Sequence, residues 1–226
     1  MRMAYASKRS IRLAVALAVI VVVFLAYSLP PYLGGGTRVQ STFGLHYPLL
    51  VAHVLLASVA MVCAVAQIWP GLRRRRPVLH RRTGRVYVAM AIPAAVCAMV
   101  IGAASPFGLI LRVSNVALGA LWLWFTVDGF VAARRRHFGA HRRQMLRSAT
   151  LALSIITNRI WTPVLYLAFD PLRDTVVGGD EERYLWVVAG VGAWLGWTIP
   201  LLGLQLWLRR QEARTTRTES LSLSGV

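Results

Sequence analysis

Two histidines stand at matching places in a near-repeat. Arg74-Arg75-Arg76-Pro77-Val78-Leu79-His80-Arg81-Arg82 is echoed by Arg134-Arg135-Arg136-His137-Phe138-Gly139-Ala140-His141-Arg142-Arg143. Neutral imidazoles that meet symmetrically can share a metal ion or a haem iron, or hold a quinone headgroup between them. The bland role for each His-Arg-Arg is an interfacial cap that binds lipid headgroups. His53 is a third candidate, inside an apolar run with His46 seven residues before it on the same helical face. A histidine in lipid is a default site hypothesis. Bis-histidine ligation needs a partner at the same depth on a facing helix, and the later apolar runs offer none to His53. Hydrogen-bonded packing is an equal reading of His53.

Arg159 is the costliest residue of the chain, near the middle of an apolar run and beside Asn158. An arginine at a helix centre costs about 2.5–3.5 kcal/mol on insertion scales. It is expected to face the interior of a bundle. Asp128 is the only acidic residue in any apolar run and so its first candidate partner, though roughly 10 Å away in depth by helical rise. Two readings stand side by side. Arg159 holds an anionic ligand, such as a cofactor carboxylate or lipid headgroup, or it is locked in an internal pair or carbonyl clamp. Pro163 frees the carbonyl of Arg159 and is expected to kink the helix. Gln67 and Asp128 each stand 13 residues before a loop histidine. They are polar positions in the last turns of their runs, suited to tuning a site there.

These residues need elements to position them. The chain of 226 residues is 57% hydrophobic and only 15% charged, which sets it apart from soluble domains. The formal charge of +18 would suggest nucleic acid in a soluble protein. Here the arginines are separated by apolar runs of membrane length, which points to a membrane surface and away from nucleic acid. The arginine-for-lysine skew, with Lys8 the one lysine, suggests a GC-rich bacterial source. Six runs can each span the hydrocarbon core: 11–29, 47–69, 85–104, 113–133, 148–169 and 185–208. Backbone groups in lipid must be satisfied within each segment, so the runs are expected to be helices. The fold predicted is an all-α integral membrane protein of six transmembrane helices, with helices two to five as a four-helix core bundle. Cys63 and Cys97 lie in separate spans about 9 Å apart in depth, and are read as unbridged small core residues. The first 29 residues resemble a signal peptide, but the long apolar run and poor cleavage site favour an uncleaved first helix.

Charge sets the orientation. Arginine crowds the N-terminus, the second loop, the fourth loop and the C-terminus, while the intervening loops are poor in it. The positive-inside rule then puts both termini in the cytoplasm of a bacterial plasma membrane. The domain organisation expected is one membrane domain over 1–210 and a polar, disordered cytoplasmic tail over 211–226. The near-repeat suggests a duplicated helical hairpin, helices two and three matching four and five about an axis along the membrane normal. The plainer account is that arginine-rich loops look alike. Juxtamembrane arginines also attract anionic lipid. No P-loop, nucleophile elbow or HExxH motif is present.

The order of features resembles a bacterial family of uncharacterised membrane proteins, domain of unknown function 2306. The matching residues are His53 in a helix ending at Gln67, then His80-Arg81-Arg82-Thr83-Gly84-Arg85-Val86-Tyr87, then His141-Arg142-Arg143-Gln144-Met145-Leu146-Arg147-Ser148, then Arg159. The resemblance covers about 47–163 and brings no established activity. It implies that His53, His80, His141 and Arg159 belong to one set. The arrangement is also distantly similar to haem-b membrane reductases, but lacks two clear intramembrane histidine pairs. The leading expectation is a haem-b or metal-binding redox module exchanging electrons with quinone. In it His80, His141, His53 and Arg159 are the cofactor-binding set, His80 and His141 as ligands and Arg159 neutralising an anionic group, with Gln67, Asp128 and Asn158 as polar support. The rivals are a small transporter or accessory subunit with an Arg159–Asp128 pair, and a lipid-binding scaffold.

Overall fold

The computed structural model describes residues 7–224. Six helices are long and apolar enough to cross a membrane. They are α1 (Lys8–Ser28), α2 (His46–Ile68), α3 (Pro77–Ala103), α4 (Gly108–Arg134), α5 (Phe138–Phe169) and α6 (Glu181–Ser224). No strand occurs among the described residues. Each run forms helix because hydrocarbon offers its backbone no other partner. Short helical turns at Pro30–Leu33, Leu72–Arg75 and 170–177 occupy the links.

Three helices are longer than hydropathy alone predicts. Pro77 starts α3 well before the expected 85, at a first-turn position where proline suits a helix. The α5 helix starts at Phe138 rather than 148. Both basic segments therefore enter helices, and His80 and His141 lie in first turns rather than in loops. The α6 helix runs on to Ser224, so helical backbone covers 211–224 where a disordered tail is expected; 225–226 and Arg2 lie outside the described residues.

The core is built on α2, α3, α4 and α5, as expected, and α6 joins it. Ala60, Ala64, Ala91, Ala94 and Ala95 are essentially inaccessible and let these backbones come close. Trp197 of α6 is buried in the same cluster, and its Nε1 donates to Ser114 Oγ of α4 at 3.0 Å. The α1 helix is peripheral. Only Ala14 and Val21 of it are buried, and it leans mainly on α2. Its exposed Leu13, Val19, Val22 and Val23 form a surface suited to acyl chains.

Glycines set the closest approach of α5 to α6. A Cβ on Gly192 would come 3.0 Å from Thr162 Oγ1, and one on Gly196 would come 2.8 Å from Asn158 Cβ and 2.9 Å from its Cα. Pro200 has no N–H to give the Gly196 carbonyl. The Thr157 hydroxyl of α5 donates to that carbonyl instead, satisfying it across the helix pair.

Candidate functional site

The two basic segments come together at one end of the bundle, the basic end. There the hairpin repeat is carried into hydrogen bonding. Gln67 donates to the His80 carbonyl and to Thr83 Oγ1. Shifted by 61 residues, Asp128 accepts from Gln144. The two contacts join equivalent positions, each 16 residues apart along its own hairpin. The shift maps His80 to His141, Thr83 to Gln144 and Tyr87 to Ser148. Tyr87 and Ser148 touch each other, Oη to Oγ at 2.6 Å. Equivalent positions of the two hairpins thus meet inside the bundle.

His80 and His141 each stand seven residues before one partner of this contact. His141 Nδ1 lies 2.8 Å from the Gly129 carbonyl of α4. A carbonyl only accepts, so Nδ1 carries a proton and donates, which leaves Nε2 outside this bond. His80 Nδ1 is buried and has no partner. The two histidines are near enough to influence each other electrostatically, and Arg73 acts on His80 as well. Fixing one ring nitrogen on a carbonyl and leaving the other free is how proteins orient a ligating histidine.

Behind the histidines the bundle is filled. Trp122 Nε1 donates to Tyr87 Oη at 3.2 Å. Because Thr126 gives its only proton to the Trp122 carbonyl, it accepts from Ser148 Oγ at 2.7 Å, and Ser148 accepts from Tyr87 Oη. Thr126 in turn donates to the Trp122 carbonyl at 2.6 Å. The circuit closes on the residue where it began and satisfies every member. All four side chains are buried. The space between the helices behind the histidines is thus taken by protein side chains. Sequence reading missed this network. Its signal was present, because extending the repeat past Gln144 aligns Tyr87 with Ser148.

The other candidates fall elsewhere. His53 lies about 20 Å from the level of His80 by helical rise, and its Nδ1 donates to the Ala94 carbonyl of α3 at 2.9 Å. That bond also leaves its Nε2 free, but no second histidine is at that depth. Arg159 lies about 27 Å along α5 from His141. It does not face the bundle interior as expected; it is exposed on the surface of α5. The physical reason is rotational. Thr157, Asn158 and Thr162 are pinned against Gly192 and Gly196, which turns the next position outward. Nor is there an Arg159–Asp128 pair. Asp128 accepts from Gln144, whose Oε1 takes a 2.6 Å hydrogen bond from Arg147, and Arg147 reaches Gln205 of α6 at 3.0 Å. Asn158 bonds Thr162 and supports the α5–α6 contact rather than a site at the basic end.

Among the described residues no group of three or more His, Cys, Asp or Glu converges on one point. A closed tetrahedral protein site for a metal ion is thus not formed there. His80 and His141 are the two imidazoles that could hold a haem iron there, a group that would need no third protein donor.

Six apolar helices with basic loops gathered at one end define a multi-pass helical membrane protein. Residues 50–208 match the family described as Predicted membrane protein (DUF2306), and the chain belongs to that family. No curated protein and no solved structure matches it.

Proposed function

We propose that this protein is an electron-carrying module of a bacterial plasma membrane, with both termini in the cytoplasm and a haem b held at the cytoplasmic mouth by His80 and His141. The observation that carries the reading is the state of the two rings. His141 has Nδ1 committed to the Gly129 carbonyl and Nε2 free, and His80 keeps a buried nitrogen without a partner. A bound haem would supply one-electron chemistry, with membrane quinone as the exchange partner. The residues of the chain bind and orient. Gln67 holds the first turn of α3 through the His80 carbonyl, and the Asp128–Gln144–Arg147 chain holds the first turns of α5. Arg73 and the neighbouring arginines favour anionic substituents at the mouth.

The test is an absorption spectrum of detergent-purified protein, produced with ample haem, before and after dithionite. A Soret band with sharpened reduced bands, abolished by His141→Ala and by His80→Ala, is the expected result. A colourless wild-type protein overturns the haem reading.

A lipid-binding reading has its own observation. Arg75, Arg76 and Arg82 line an open groove of about 610 Å³ with Pro77, Val78 and Leu79. Guanidinium groups above apolar walls suit an anionic lipid headgroup and its acyl chain. This reading predicts co-purified anionic lipid that is lost in Arg75→Gln/Arg76→Gln/Arg82→Gln. The transporter reading loses its residue basis with the missing Arg159–Asp128 pair.

A further inference from the structure

Arg159 presents a charge where the chain offers it nothing. It is twelve residues from Arg147 and eleven from Asp170 along α5, so it lies roughly 18 and 16 Å from the polar levels at the two ends. That is the middle of the hydrocarbon and beyond what one side chain covers by snorkelling. The level agrees with packing, since its neighbour Asn158 abuts Gly196 in the middle of the apolar part of α6. Around Arg159 the surface is apolar, with Ile160, Val164 and Leu167 at 58%, 46% and 74% exposure. Rotation of α5 cannot bury it, because the backbone contacts at Gly192 and Gly196 fix the face.

We infer that this face of α5 docks a transmembrane helix of another protein that carries a carboxylate at mid-membrane depth. Charge complementarity selects the occupant. A guanidinium in hydrocarbon is best compensated by a bidentate carboxylate, and the low dielectric strengthens the pair. A second copy of this chain does not supply one. Asp128 is the only acidic residue within the apolar runs, lies near the basic end and is engaged by Gln144; Glu181, Glu182 and Glu212 lie toward the ends of α6. Lipid phosphates lie at the interfaces, not at this depth. The inference is independent of the haem reading.

The probe is a synthetic 23-residue Leu/Ala transmembrane peptide with one central Glu, labelled for energy transfer to the full-length protein in phosphatidylcholine vesicles. The comparison peptides carry central Gln, or Glu in the terminal turn. The central-Glu peptide is expected to associate roughly tenfold more tightly than either, the size of one interhelical polar contact. Arg159→Gln and Arg159→Leu should both abolish that preference while inserting at least as well as the wild type. Equal binding of the three peptides to wild type overturns the proposal, as does a Glu preference that survives both substitutions. Self-association that needs Arg159 but shows no Glu preference also overturns it, assigning the face to a second copy.

Discussion

Tyr87 gives the sharpest prediction at the residue scale. Its hydroxyl receives the Trp122 indole N–H and passes its own proton to Ser148, at the point where the two hairpins meet. Tyr87→Phe keeps the ring and its packing but leaves a buried indole N–H without an acceptor. The loss expected is about 1–3 kcal/mol, seen as a lower thermal midpoint by circular dichroism in detergent. Ser148→Ala should lose a similar amount, and the double variant less than the sum, because one circuit is broken in both. Additive losses would show that the circuit does not act as a unit. The histidines differ by the same kind of accounting. His53→Ala removes a bond to the Ala94 carbonyl and should lower stability without changing the absorption spectrum. A loss of colour on His53→Ala alone, with His141→Ala still coloured, would move the site from the mouth to the outer half of the bundle.

At the scale of elements, close approach of backbones holds the α5–α6 pair. The α5–α6 pair rests on Gly192, Gly196 and the Thr157 hydroxyl on the Gly196 carbonyl. Gly196→Ala should favour the isolated helix by up to about 1 kcal/mol. In the folded protein its Cβ would meet backbone atoms of Asn158 at 2.9 and 3.0 Å, which cannot swing aside. The net effect expected is destabilisation by about 1–3 kcal/mol. Gly203 has open space around it, so Gly203→Ala should be neutral or slightly stabilising. Thermal melts of the two variants decide the matter, and equal midpoints would rule out a tight α5–α6 seam. The hairpin repeat also belongs to this scale. Its basic loops were visible in sequence, and so was the spacing from Gln67 and Asp128 to the histidines. The use of the spacing was not, because hydrogen bonds between turns of different helices leave no periodicity in the chain.

For the whole molecule, the prediction concerns sidedness. In a Cys63→Ala/Cys97→Ala background, cysteines at Arg74→Cys and Arg135→Cys should react with an impermeant maleimide only from the cytoplasmic face. Thr37→Cys and Asp174→Cys should react only from the opposite face. Labelling of the two pairs from one face would break the six-span topology, and the reverse pattern would invert the orientation. The α1 helix, peripheral and mostly facing lipid, is the element whose loss the remaining bundle should tolerate best.

The sequence by itself determined that this chain lies in a membrane, how many times it crosses, and which loops gather at one end. Hydrophobic run length and arginine distribution are local quantities, and hydrocarbon punishes any other outcome at every residue. It also marked His80 and His141 as a pair, since the repeat sets their spacing. Only the tertiary structure decided the rotation of each helix about its own axis. Arg159 stands within an apolar run, so nothing local says whether it faces in or out. Contacts with Gly192 and Gly196, far along the chain, turn it outward and away from Asp128. Long-range packing likewise brought Tyr87 of one hairpin onto Ser148 of the other.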